Sequence, residues 1–276
     1  MISSAPSVLI AQLRQQMPAL LTLARQAGVE IMAVYDADTP LHVDLKADDS
    51  PVTAADVRAN EVLMQGLARL FPDLPVVSEE VKASLLHRHP QAPFWLIDPL
   101  DGTREFINRT GQFTVNLALI WAGYPIAGII TAPATDEVFW AIESVGAFEQ
   151  RAGTDHRLQA APYPNAGSDA SRVVRVLASQ SHMSEATLQW IDALGAHEVQ
   201  RAGSSLKFCR LAQGAADCYP RLGPTCEWDT AAGQAIIEVA GGAVHALDGA
   251  RLRYGTDTEL NPSFVATGAG ALWPLN

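Results

Sequence analysis

The sequence predicts an α/β chain in two parts, with an antiparallel sheet in the first and a mixed, more parallel sheet in the second. Two patterns carry this reading. Between Phe113 and Ala141 three β-rich runs, FTVNLALIW, PIAGIIT and VFWA, follow one another across short Gly/Pro/Asp turns, as in an antiparallel meander. From Val173 strand-like and helix-like segments alternate, which implies parallel neighbours. The rhythm changes in a polar stretch with Pro and Gly between Gly153 and Asp169. The expected division is therefore 1–155, an N-terminal α+β domain, and 156–276, a C-terminal α/β domain.

Taken in order, Leu20, Leu23, Ala24, Ala27 and Ile31 recur at helical spacing, with Pro18 near the start of that helix. Leu41 to Pro51 reads as strand and Asp-rich loop. A second helix covers Ala54 to Leu70, with Val57, Met64, Leu67 and Phe71 on one side, and PVVSEE is a short strand ending at Glu79 and Glu80. In the second part VVRVLAS, HEVQR, ADCYP and AVHAL are strands. The helices between them run from Ser184 to Leu194, Ser205 to Ala212 and Trp228 to Ala240, the last stopped by Gly241-Gly242.

With 276 residues, 48% of them apolar and 18% charged, the chain can bury large cores, which excludes disorder. A net charge of −11 without a Lys/Arg-rich run excludes polymeric nucleic acid as a partner but leaves small phosphorylated molecules compatible. Three cysteines without a C-x-x-C suggest neither a disulfide framework nor a thiolate zinc site, and they fit a reducing cytoplasm. The N-terminus lacks a signal-peptide pattern and no apolar run reaches 18 residues, so a soluble protein is expected, with peripheral membrane contact left open. Cys209 and Cys218 read as packing residues. Cys226, beside Glu227, should have its thiol pKa raised by acidic neighbours.

FWLIDPLDGTREF, residues 94–106, starts as a buried strand and delivers Asp98 and Asp101 into one turn. Pro99 biases Asp98 toward an extended conformation, and Asp101-Gly102 turns away from it, so both carboxylates can face one point. On a plainer reading Asp101-Gly102 is a surface turn, with Asp101 or Thr103 capping a helix. Glu79 and Asp229 also end or open apolar segments, and each alone reads as a loop acid or an N-cap. Four such acids without clustered His or Cys suit a hard cation, Mg²⁺ first and Mn²⁺ next.

DPLDGTREF, with SEE upstream and EWDTAAG downstream, resembles the inositol monophosphatase superfamily of Mg²⁺-dependent, lithium-sensitive phosphatases. Within it, KADDSPVTAAD, RTGQFTVNLALI, GSSLKFCRLAQGAADCYPRLGPTCEWDTAAG and NPSFVATG resemble the bacterial CysQ branch of 3'(2'),5'-bisphosphate nucleotidases, over about Leu20 to Thr267. The resemblance implies a layered αβαβα sandwich with the site between the domains, and two to three Mg²⁺ ions, with Mn²⁺ as a substitute. Glu79, Asp98 and the Leu100 carbonyl would hold the first ion, and Asp98, Asp101 and Asp229 the second. A third ion would lean on Glu79. Thr103 would polarise a water activated at the metal, with Asp48 as proton acceptor and Asp56 behind it.

Gly102 and Thr103 would offer amides to the scissile phosphate, in a substrate site that also includes Glu79, Leu100, Asp101 and Asp229. Ser204, Ser205 and Lys207 would receive a second phosphate, or else form an ordinary capped helix with a solvated Lys. Lys46 would hold the acidic loop or product, or else be a surface charge. The implied reaction is hydrolysis of 3'-phosphoadenosine 5'-phosphate to AMP and phosphate, clearing a by-product of sulfate assimilation. The rivals are an inositol-phosphate or other sugar-phosphate phosphatase, and a regulatory binding protein on the same fold. The implied setting is the cytoplasm, with weak association at the inner membrane and the choice of monomer or homodimer both open.

Overall fold

In the computed structural model, which describes residues 6–37, 43–45, 51–164, 173–179, 183–273 and 275, the first helix starts earlier than its clearest periodicity. Helix α1 spans Pro6–Tyr35, and its buried stripe already includes Leu9, Leu13 and Met17. Pro18 is therefore interior, a correction to its expected place near the start. An interior proline costs about 3 kcal/mol. The ten buried residues of α1 offset that cost, and the Thr22 hydroxyl donates to the Pro18 carbonyl at 2.9 Å. Helix α2 occupies Ala54–Leu70 as expected, but its buried face runs through Ala55, Ala59, Leu63, Gly66 and Leu67, leaving Val57 49% exposed. At Gly66 the two helices approach so closely that a Cβ would lie 2.2 Å from Leu23.

Strands β1 (Val43–Leu45) and β2 (Pro51–Thr53) form a small antiparallel ribbon ahead of α2. The main N-terminal sheet has seven strands in spatial order β3 (Val76–Ser78), β4 (Phe94–Asp101), β5 (Thr114–Trp121), β6 (Tyr124–Ala132), β7 (Glu137–Ile142), β8 (Gly146–Arg151) and β9 (Thr154–Arg157). Among the described residues only the β3–β4 pair of this sheet is parallel. A 3-10 turn, Lys82–His87, joins these two strands, and α3 (Thr103–Ile107) follows β4. The expected division at 155/156 falls inside β9, so we propose a boundary after Arg157.

The C-terminal sheet has the order β11 (His197–Ala202), β10 (Val174–Ser179), β12 (Cys218–Arg221), β14 (Phe264–Thr267), β13 (Ala243–Ala246). Strands β11, β10 and β12 are mutually parallel, while β14 runs antiparallel to β12 and β13, which makes the sheet mixed. Helices α4 (Glu185–Asp192), α5 (Leu206–Ala212) and α6 (Glu227–Val239) complete the chain.

Alternation of side chains across the strands builds three cores among the described residues. On one face of the N-terminal sheet Trp95, Ile97, Leu117 and Ile129 pack against α1 and α2. On the other, Phe94, Leu96, Ile120 and Ile130 share one core with Phe208, Ala232 and Ile236 of α5 and α6 and with Tyr219 and Phe264 of the second sheet. Val176, Cys218 and Val265 on the far side pack against Ile191 of α4. The layers are thus helix, sheet, helix, sheet, helix. Helix α6 lies so close to β6 that a Cβ on Gly128 would meet the Ala232 carbonyl at 2.4 Å. No helix among the described residues is long and apolar enough to cross a membrane.

Candidate active site

The parallel pairing of β3 with β4 sets Ser78 opposite Ile97, and the Glu79 N–H extends the ladder to the Ile97 carbonyl at 3.3 Å. Glu79 is thereby delivered beside Asp98. On the other side Asp98 pairs with Asn116 and Asp101 with Thr114, so β4 carries one residue more than β5 across this interval. That bulge re-aims the strand. Asp98 Oδ1 also accepts the Leu100 N–H at 3.0 Å. Asp229 arrives from the other half of the chain, in the first turn of α6, where its Oδ2 accepts the Cys226 N–H at 2.9 Å.

Glu79, Asp98 and Asp229 each offer a carboxylate oxygen, and these lie within 4.8 Å of one another. Asp98 is 1% exposed. Burial, then Glu79, Asp101, Asp229 and Glu80, hold its pKa well above the usual carboxylate range. Burial, then Asp101 and Glu79, do the same to Asp229, opposed by the Cys226 N–H and Arg221. Among the described residues the charged groups that act most strongly on Asp98 are all carboxylates. An all-oxygen donor set with unbalanced charge fits a hard divalent cation.

Asp101 stands next to this cluster in another environment. Its Oδ2 accepts the Ser204 hydroxyl, the Ser205 N–H and the Ser205 hydroxyl, each at 2.7 Å, and lies 3.4 Å from the Asn116 amide and 3.5 Å from the Thr114 hydroxyl. Among the described residues no donor reaches Oδ1, so that oxygen stays available to a cation. Gly102 takes φ +91° as α3 begins, and a Cβ there would lie 3.2 Å from the Gln112 carbonyl. The Thr103 hydroxyl lies 3.4 Å from Asp56 Oδ1 and 3.4 Å from the Leu100 carbonyl. Asp56 Oδ2 caps α2 by accepting the Thr53 N–H and hydroxyl. Lys46 and Asp48 lie outside the described residues, among which Asp56 is the acid brought to Thr103.

The residues expected to receive a second phosphate also make contacts within the protein. The Ser204 and Ser205 hydroxyls and the Ser205 amide serve Asp101, and the Ser205 hydroxyl is also 2.8 Å from the Asp229 carbonyl. Lys207 is not solvated. It is 5% exposed, donates to the Ser204 carbonyl at 2.6 Å and the Ala202 carbonyl at 3.3 Å, and sits over the Tyr219 ring. Burial pulls its pKa down to about 8, against the raising effect of Asp101. Its geometry holds the 202–205 loop from beneath.

Asp101, Gly102, Ser204, Lys207 and Asp229 line a cavity of about 120 Å³, which shares Ser179, Tyr219 and Arg221 with a neighbouring cavity of about 460 Å³ that reaches Arg104 and Pro224. Arg221 was missed in the sequence. Its Nη2 donates to the Pro224 carbonyl, and its buried Nε has no hydrogen-bond partner. Its position at the end of a strand of the C-terminal sheet was the available signal, because ligands in such sheets gather at carboxyl ends of strands.

A model of the inositol monophosphatase family matches residues 12–272. The chain is 45% identical over 246 residues to the 3'(2'),5'-bisphosphate nucleotidase CysQ of Salmonella typhimurium, covering 89% of this chain and 96% of the relative. To the protein of the same name in Escherichia coli K12 it is 46% identical over 243 residues, 88% and 95% of the two chains. The crystal structure of CysQ from Bacteroides thetaiotaomicron superposes with a TM-score of 0.77 at 36% identity, covering 92% of this chain and 97% of that one.

Proposed function

The chain belongs to the inositol monophosphatase family, and from this we propose that it is a metal-dependent 3'(2'),5'-bisphosphate nucleotidase. The observation that carries phosphatase chemistry is the convergence of Glu79, Asp98 and Asp229 beside Asp101. The nucleotide specificity is supported by the relatives' identity along nearly the whole chain. The proposed substrate is 3'-phosphoadenosine 5'-phosphate, and the proposed products are AMP and phosphate. We assign the metal as Mg²⁺, two to three ions, replaceable by Mn²⁺.

In this reading Glu79, Asp98, Asp101 and Asp229, with the Leu100 carbonyl, would hold the cations. When bound, such cations neutralise phosphate oxygens and acidify water. The remaining work belongs to the chain. Thr103 orients the attacking water through its hydroxyl, Asp56 Oδ1 orients Thr103, and Asp48 is the proposed proton acceptor. The serine donors fix Asp101, and Lys207 stiffens the loop that carries them. A neighbouring cavity of about 460 Å³ is of nucleoside size, with Arg221 and Arg104 as the cations for the non-reacting phosphate. A cytoplasmic setting accords with three free cysteines.

A substrate panel with purified protein and Mg²⁺ tests the reading. Phosphate release should be fastest, by kcat/KM, from the adenosine bisphosphate, and slower from inositol 1-phosphate and fructose 1,6-bisphosphate. A preference for inositol phosphate would move the chain to the sugar-phosphate branch. Release from none of them would leave only a binding role.

A further inference from the structure

Of the three carboxylates that converge, two come from the first half of the chain and one from the second, and their mutual repulsion pushes those halves apart. We propose that the buried Arg88–Glu227 ion pair is the strap that opposes this opening, which makes Arg88 and Glu227 positioning residues for the metal site. The inference rests on the reading of Glu79, Asp98 and Asp229 as metal ligands.

The strap can be followed bond by bond. Arg88 ends the 3-10 turn Lys82–His87, and that turn is tied back to the strand before Glu79, because the Ser78 N–H donates to Ser84 Oγ at 3.0 Å. From Arg88 the fork reaches across to the other half. Nε donates to Glu227 Oε2 at 3.0 Å, Nη2 to the Thr256 carbonyl at 2.7 Å, and Nη1 lies 3.7 Å from Glu259. Glu227 is the first residue of α6, and Asp229 lies in the same turn. The other oxygen of Glu227 accepts the Thr256 N–H at 3.2 Å, and its own N–H donates to the Glu259 carbonyl at 2.8 Å.

The pair is shielded from solvent, with side-chain exposures of 8% for Arg88 and 1% for Glu227, so screening does little to weaken it. The guanidinium is consumed by these contacts, which leaves it no role in holding substrate. A chain of hydrogen bonds thus runs from the residue before Glu79 to the helix turn that carries Asp229. Without it, part of the cation's binding free energy would go into drawing α6 back toward β4. Groups that orient ligands in this way typically set metal affinity rather than chemistry.

The pair Arg175–Asp217 supplies a matched comparison. Its aspartate is fully buried, its Nη2–Oδ1 distance is 2.7 Å, and it lies within the C-terminal sheet, outside the carboxylate cluster. The test compares wild type with Arg88→Met, Glu227→Gln, the double variant Arg88→Met/Glu227→Leu and Arg175→Met. The double variant leaves no buried charge unpaired, which lowers its cost in stability relative to removing Arg88 alone. Mn²⁺ binding is measured by calorimetry and by electron paramagnetic resonance, alongside thermal unfolding and steady-state kinetics.

Removing the strap should raise the Mn²⁺ dissociation constant roughly tenfold or more and shift half-saturating Mg²⁺ equally. At saturating cation kcat should return to within about threefold of wild type. Arg175→Met should lower thermal stability and leave the Mn²⁺ constant alone. Wild-type Mn²⁺ affinity in a folded double variant, or in Glu227→Gln where the double variant does not fold, overturns the strap alone. A kcat loss that saturating cation does not restore also overturns it, by placing the pair in the chemistry. Failure of the wild type itself to bind Mn²⁺ overturns strap and metal site together.

Discussion

Asp98 and Asp101 leave the same irregular end of β4, yet they are treated in opposite ways. Asp101 is given hydroxyl and amide donors on one oxygen, with Lys207 close by, so its charge is balanced by the protein itself. Among the described residues Asp98 accepts the Leu100 amide and stands among carboxylates. The difference separates two tasks that look identical in sequence. Asp101 couples the two halves of the chain through a loop of the second, and Asp98, on the proposed reading, is the acid whose charge a cation would balance.

The largest effect expected from this contrast is at Asp98. Asp98→Asn should lower hydrolysis by roughly a thousandfold or more, because it removes the charge that would hold the cations on the proposed reading. Relief of repulsion should at the same time raise the melting temperature in chelator. Activity within about tenfold of wild type at saturating Mg²⁺ would erase the distinction between the two acids.

Next comes Thr103. Thr103→Ala should reduce kcat by roughly a hundredfold, with calorimetric Mg²⁺ affinity unchanged. Asp48→Asn should match it in kcat, whereas Asp56→Asn should add about 1 kcal/mol of lost stability by weakening the cap of α2. A fall in Mg²⁺ affinity on Thr103→Ala would move that residue into the metal site.

On the Asp101 side, Ser205→Ala deletes one hydroxyl donor and leaves the amide and Ser204 in place. A hydrogen bond to a charged group is worth about 1.5–3 kcal/mol, so kcat/KM should fall by roughly ten- to a hundredfold, less than at Asp98. A larger loss than that of Asp98→Asn would reverse the ranking.

The smallest effect is one of pH. Folding lowers the Lys207 pKa to about 8 from an ordinary 10.5, so between these values the unfolded chain binds more protons than the folded one. Stability conferred at this position therefore rises with pH across that window. Wild type should gain on Lys207→Met in denaturant unfolding as pH increases from 8 to 10.5. A constant difference would mean that Lys207 is less buried than its contacts imply.

The Asp-Pro-Leu-Asp-Gly break was legible because an apolar run cannot accept two carboxylates without a reason, and the meander and the alternating second half were legible from period alone. Strands β8 and β9 were not, since GAFEQR and TDHR show no apolar alternation and are held by edge pairing, β8 to β7 and β9 to β8. Arg88 and Glu227 gave no signal either, because residues 139 positions apart meet only through tertiary packing. The burial of Lys207 was hidden for a related reason. A lysine in the first turn of a helix is ordinarily solvated, and here the 202–205 loop folds over it.

Helix α6 belongs to the second half of the chain but forms the inner cover of the first half's sheet, against Phe94, Leu96, Ile120 and Ile130. The close contact at Gly128 leaves no room for a substitute layer. During synthesis the seven strands are complete at Arg157, while α6 ends at Val239. At about 5–20 residues per second the ribosome needs roughly 4–16 s to make the intervening segment. For those seconds the nascent sheet has one oily face without its partner. The chain's exposure to aggregation is thus greatest between translation of Arg157 and of Val239, and cutting the gene after Arg157 would make that interval permanent.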